Sequence, residues 1–333
     1  MMKISPVIIS LTSYAERINV VHLVIESLKK QTYQVDKIVL WLDEAEINRQ
    51  QLPSALAALE DELFEVRFCP NYKSYKKLVP SLQIFPDAHI ITFDDDIIIP
   101  ANVVQAFVDA HQRHPNTVIA SRGRLMITNE HGFFEGYDKW TLLNNDSEVM
   151  APFGILPIGY GGVLYPNGSL DLEVTNVDQF KALADNADDI WFKCMSLLKY
   201  TPTLILPRIV SDKFKVIDNT QESALYLTVN TDDRNGKCLQ AIAQAYPELS
   251  TLFKSTSFPN VTIDNRLLNQ LLSRPNLFDS SEKAVSFFRD AAMKIEHSHL
   301  NLAYQLMLIA RKYRPQGPLI NRKISEYKAK MKQ

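Results

Sequence analysis

Within the first 120 residues, short apolar runs alternate with stretches of helical spacing. The fourth run, Ile90-Ile91-Thr92-Phe93, leads straight into three consecutive aspartates, Asp94-Asp95-Asp96. Parallel strands joined by helices are the economical solution to such alternation. Val7 to Leu11, Lys37 to Leu42, Val66 to Phe68, His89 to Phe93 and Val118 to Ala120 read as strands. Asn19 to Lys30, Ser54 to Leu63, Lys76 to Leu82 and Pro100 to about Arg113 read as the intervening helices. Open α/β sheets bind ligands at the carboxyl ends of their strands, which is where the aspartates stand. Three adjacent carboxylates repel one another and need a counter-charge. A divalent cation held by oxygen ligands supplies one, and a solvated acidic turn is the plainer alternative.

No glycine precedes Gly123. That excludes a Gly-rich phosphate loop, of Rossmann or P-loop type, from the first third of the chain. A diphosphate bound there needs another partner than glycine-loop amides, and a metal on the carboxylates is the natural substitute. The 36 basic and 38 acidic side chains leave a formal charge of −2, which gives no sign of a nucleic-acid partner. Cys69, Cys194 and Cys238 are widely spaced, form neither a CxxC pair nor a zinc pattern, and point to a reduced, cytoplasmic setting. The apolar N-terminus is too short for a signal sequence and reads as the first strand. No run approaches the roughly 20 apolar residues of a membrane helix, so any membrane contact is expected to be peripheral, at the inner face.

From Arg122 to Tyr160 the periodicity fades and aromatics mix with glycines, which suggests a functional excursion. Tyr137, Trp140 and Phe153 there suit either a core or a sugar-stacking surface. Gly159-Tyr160-Gly161-Gly162 precedes a strand, Val163 to Tyr165. Asp188 to Leu198 reads as a helix with an acidic first turn, and Leu204 to Ile209 as a strand. Beyond about Asn235 the strand signals stop. Gly236 to Tyr246, Ser281 to Glu296, Leu300 to Arg314 and Ile320 to Lys330 read as helices. The chain therefore divides near 235, into an α/β domain (1–235) and a helical C-terminal region (236–333). The lysine-rich end of the latter is either a solvated helix face or a docking surface for a membrane or partner.

Several elements in fixed order carry a family resemblance. They are Ser10-Leu11-Thr12-Ser13-Tyr14 with Arg17, the strand ending at Asp43, Tyr75-Lys76-Lys77-Leu78, the aspartate triplet, Gly161-Gly162, and Ala187-Asp188-Asp189 at a helix start. Over about residues 4 to 230 the chain resembles bacterial GT-A glycosyltransferases, the family-2-like enzymes that assemble surface polysaccharide, capsule or lipopolysaccharide. The resemblance implies a Rossmann-like, mixed, mostly parallel sheet flanked by helices, with a C-terminal helical extension. It implies a nucleotide-sugar donor, UDP-linked in the commonest arrangement, and a glycan or glycolipid acceptor.

It also implies roles. Thr12, Tyr14 and Arg17 border the nucleotide, Asp43 accepts hydrogen bonds from the base, and Lys77 and Asp95 contact the donor. Asp94 faces ribose or metal, and Asp96 coordinates Mn²⁺ or Mg²⁺ on the diphosphate. Gly161 and Gly162 allow close approach of the donor or acceptor sugar. Asp188 touches the acceptor, and Asp189 is the general base of an inverting reaction. Two departures stand out: the pair is Asp-Asp where many relatives have Glu-Asp, and no histidine lies between His131 and His297 to serve as a late metal ligand.

Two other readings compete. A haloacid-dehalogenase-type phosphatase also ends a strand in D-x-D and adds a lysine and an Asp pair, here Asp94, Asp96, Lys181, Asp188 and Asp189. Its motif normally sits on the first strand, whereas three strands precede it here. A non-catalytic carbohydrate- or partner-binding protein is the third, and retention of both Asp96 and Asp189 speaks against it.

Overall fold

The structure is a computed structural model that describes residues 5–127, 134–151, 154–218, 220, 233–249, 281–296 and 300–331. The chain forms two compact units, Met1–Phe253 and Lys254–Gln333.

The first unit is an α/β fold around an eight-stranded, mixed, mostly parallel sheet. Its strands are β1 (Val7–Thr12), β2 (Lys37–Asp43), β3 (Phe64–Cys69), β4 (His89–Thr92), β6 (Val118–Ala120), β9 (Val149–Ala151), β11 (Val163–Tyr165) and β12 (Thr203–Ile205). They lie in the order β3-β2-β1-β4-β11-β6-β12-β9. β1 pairs in parallel with β2 and β4, β2 with β3, and β6 with β12. β11 runs antiparallel between β4 and β6. This register has one consequence for the site: the carboxyl ends of β1, β4 and β6 and the amino end of β11 share one edge. Thr12, the aspartates, Arg122 and Gly159–Gly162 thereby come to the same rim. Short strands β7 (Gly123–Leu125), β8 (Thr141–Leu143) and β10 (Ile155–Pro157) form a three-stranded sheet, so the aperiodic excursion is partly ordered as strand. β5 (Ile97–Ile98) pairs with β13 (Lys215–Val216).

Both faces of the large sheet are covered, which is why its strands read as continuous apolar runs. Ile8, Val39 and Ile90 point to one core, with Val79 of α3 (Val79–Ile84) and Phe192 of α6 (Asp188–Leu198). Their neighbours Ile9, Leu40 and Ile91 point to the other, with Val24 of α1 (Val21–Lys29) and Phe107 of α4 (Val103–Arg113).

Several boundaries differ from expectation. The helix expected over 54–63 stops at Ala57, as α2 (Ser54–Ala57), because β3 begins at Phe64. The stretch 76–82 is split: a 3₁₀ turn, Lys73–Lys77, precedes α3, with Pro80 in the first turn of α3. The last strand ends at Ile205, short of Pro207. α5 (Val177–Leu183) was not anticipated. α7 (Arg234–Ala245) buries Leu239 and Ile242 in the first unit's core.

The second unit contains α8 (Ser281–Ile295), α9 (Leu300–Tyr313) and α10 (Pro318–Lys330). Its own core holds Phe288, Ala303, Met307, Ala310, Ile324 and Tyr327. Lys323 and Lys330 pair with Glu326, and Lys323 also with Glu296, so part of the basic end is neutralised within the unit. Among the described residues no helix is long and apolar enough to cross a membrane.

Candidate active site

At the carboxyl edge of the large sheet lies a cavity of about 1000 Å³. The aspartate triplet enters it from the end of β4, and two cations already meet its charge. Arg17 Nη1 lies 2.8 Å from Asp95 Oδ1 and 2.9 Å from Asp96 Oδ2, with all three side chains at least nine-tenths buried. The Ser13 hydroxyl donates to Asp95 Oδ2 at 2.5 Å, and Arg17 Nη2 to the Thr220 carbonyl at 2.7 Å. Burial opposes the charge of Arg17, but Asp95 and Asp96 outweigh it and hold its pKa above the usual value. Burial pushes Asp95 up, against the pull of Arg17 and Ser13. The counter-charge that the triplet needs is thus supplied in part by the chain.

Lys77 is the second cation. It stands in the stretch 76–82 that reads as a helix from sequence, and its side chain is only 9% exposed. Its turn is pinned from both sides. Tyr75 stacks on Phe180 at 4.1 Å and donates to the Ala184 carbonyl, and Trp41 Nε1 donates to Ser81 Oγ. Lys77 Nζ therefore points inward, 2.8 Å from Asp188, 3.4 Å from Asp94 and 3.9 Å from Asp189. Burial opposes its charge, but these carboxylates raise its pKa well above normal. Lys76 is likewise buried and lines the cavity.

The Asp pair opens α6, where the helix dipole favours carboxylates. Asn186 precedes it at φ 60°, a left-handed turn that asparagine tolerates. Asp188 Oδ1 accepts from the Ser74 hydroxyl. Asp189 Oδ2 accepts from the Gly159 amide at 3.0 Å, while its Oδ1 has no hydrogen-bond donor among the described residues. Burial, reinforced by the charge of Asp188 and opposed by Lys77, pushes the Asp189 carboxyl up to about 7.

Thr12, Tyr14, Arg17, Lys77, Asp94, Asp95, Asp96, Asp188 and Asp189 all line the cavity. Asp43, Gly161 and Gly162 do not. Asp43 is buried and its carboxylate caps its own turn through the Ala45 amide. Gly161 and Gly162, at φ 87° and 101°, are packing glycines: a Cβ at Gly162 would lie 2.5 Å from Phe93, and one at Gly161 2.5 Å from Phe214. The glycine beside the chemistry is Gly159, where a Cβ would lie 2.5 Å from Lys77 Nζ and 3.1 Å from Asp189 Oδ1. Of the aromatics, Tyr137 lines the cavity, Trp140 is core, and Phe153 lies outside the described residues. Arg122, Arg124 and Tyr160 also line it; sequence pattern did not single them out, since they fall in the aperiodic stretch. Lys181, which the phosphatase reading requires, is exposed over the Tyr72 ring and away from the cavity.

Asp94 and Asp96 are hard oxygen donors and suit Mn²⁺ or Mg²⁺ in kind. Among the described residues no three His, Cys, Asp or Glu side chains come together to hold a metal. The donor set fits a cation whose remaining ligands come from a substrate's phosphates and water. No protein-family model matches the chain, and no curated protein matches it.

Proposed function

We propose that this chain is a metal-dependent glycosyltransferase of the GT-A type. It moves a sugar from a nucleotide-sugar donor, UDP-linked by resemblance, to a hydroxyl of a glycan or glycolipid acceptor in bacterial surface polysaccharide or lipopolysaccharide synthesis. The observation that carries this reading is Asp189. One of its oxygens is fixed by the Gly159 amide, and the other has no donor among the described residues. It titrates near neutrality and faces the same cavity as the aspartate triplet. A carboxylate so placed suits a general base.

In the proposed reaction Asp189 Oδ1 takes the proton of the acceptor hydroxyl. The acceptor oxygen bonds to the anomeric carbon from the face opposite the leaving group. The bond from that carbon to the diphosphate oxygen breaks, and its electron pair leaves with the nucleoside diphosphate, so the anomer inverts. Asp94 and Asp96, with the diphosphate, would hold the divalent cation, which when bound neutralises charge on the leaving group. Lys77 keeps Asp94 and the Asp188–Asp189 pair from repelling one another, and Arg17 does the same for Asp95 and Asp96.

The test is thermal stabilisation by UDP, GDP, CMP and TDP, each with Mn²⁺ and with EDTA. A ligand at 100 times its Kd adds about 2.7 kcal/mol. A shift with one nucleotide that disappears in EDTA supports the reading and fixes the donor class. No shift with any nucleotide overturns it.

A further inference from the structure

The carboxylates that line the cavity already have partners. Arg17 takes Asp95 and Asp96, Lys77 takes Asp94, Asp188 and Asp189, and Glu46 accepts the Ala15 amide. Arg122 has none. It lies in the cavity wall just after β6, half-buried, with its guanidinium 4.9 Å from the centre of the Tyr160 ring. Among the described residues it makes no side-chain hydrogen bond and no ion pair. Arg124 is a contrast two residues on: it stacks on Tyr137 at 4.8 Å, but Nη1 is committed to the Trp140 carbonyl at 2.6 Å. A guanidinium stacked on an aromatic face keeps its rim of N–H donors in a fixed fork, the geometry that matches a carboxylate or phosphate with two bonds.

The position of Arg122 says where such an anion would sit. Its carbonyl accepts from the Ile158 amide at 3.0 Å. The next residue, Gly159, holds Asp189 through its own amide, and the one after, Tyr160, supplies the ring beneath the guanidinium. One three-residue segment therefore ties the arginine to the base. Tyr160 also lies within the field of Asp94 and Asp96. An anion on Arg122 would sit at the transfer point and not at the far end of a nucleotide, and UDP binding by Arg122→Gln separates a sugar's own charge from the diphosphate.

We infer that a sugar handled at this site carries an anionic substituent, a carboxylate or phosphate, which Arg122 binds bidentately beside Asp189. This rests on the transferase reading and narrows its substrate class to charged sugars. The charge has two possible sources, donor or acceptor, and the experiment separates them.

Binding is measured by calorimetry for UDP-glucuronic acid against UDP-glucose. With UDP present, it is also measured for methyl glucuronide and glucose 6-phosphate against methyl glucoside. In at least one comparison the charged sugar is expected to bind about tenfold or more tightly, the range of one charge-assisted contact. A preference in the first comparison assigns the charge to the donor, and one in the second to the acceptor. Arg122→Gln should erase the preference while UDP alone binds as before. Arg122→Lys, which keeps the charge and loses the fork, should retain only part of it, and it replaces the glutamine variant if that one fails to fold. Equal binding of charged and neutral sugars overturns the inference, as does a preference that survives in both variants. Loss of the transferase reading shows separately, as absence of binding of UDP, GDP, CMP and TDP alike by the unaltered protein.

Discussion

Lys77 holds together three carboxylates that would otherwise repel one another. Removing one partner of a buried ion pair leaves an uncompensated charge and costs about 3–5 kcal/mol. Lys77→Met should therefore lower stability by that order in a urea titration, and Asp188→Asn by less, because only one of the three pairs is lost. Asp189 makes a sharper prediction. A base must be ionised, and burial holds this carboxyl up at about 7. Transfer should rise as pH climbs through about 7, and a rate already flat from pH 5 upward would exclude Asp189 as the base. Asp189→Asn should keep the nucleotide-induced thermal shift and lose about 10²–10⁴-fold in rate.

Histidine gives a second pH effect, away from the site. His89 and His111 lie 4.3 Å apart by ring centre, and burial, with His111 beside it, pulls His89 down to about 4. A depressed pKa means the unfolded chain binds the proton more readily. This contribution to stability is thus complete above the unfolded value near 6.5 and is lost as pH falls towards about 4. His89→Gln should flatten the fall in melting temperature between those limits.

Among the elements, the sequence was most readable where physics is local. β1, β2, β4 and β6 are buried on both faces, so their apolar runs could be found without alignment. The acidic start of α6 was equally legible. What could not be read depended on partners distant in the chain. The counter-charges of Lys77 lie 17 and over 100 residues away, so the sequence does not pair them. Gly159 lines the cavity where Gly161 and Gly162 do not, and only the fold shows which glycine meets Lys77 and which meet Phe93 and Phe214. Gly162→Ala tests that assignment. At φ 101° and against Phe93, it should cost about 1–3 kcal/mol in stability and leave the charge network intact, so its loss is read in melting rather than in the pH profile.

For the whole molecule, every described residue that lines the cavity lies between Thr12 and Asn235, inside the first unit. Nucleotide-dependent stabilisation should accordingly follow residues 1–253 when the chain is cut between the units. Loss of that response on removal of 254–333 would show that the second unit takes part in binding. The core of the second unit gathers Ala303 and Ala310 with residues of its two neighbouring helices.

The cations seated on the aspartate triplet have a consequence for how the site meets its solution. Arg17, Asp95 and Asp96 are paired before any substrate arrives, with side chains no more than 10% exposed. Mobile ions screen exposed charges within about 8–10 Å at ordinary ionic strength but reach buried pairs far less. That pairing is therefore insulated from salt. Its contribution to stability should hardly change across a salt titration, while the exposed helical end near Lys328 responds to it.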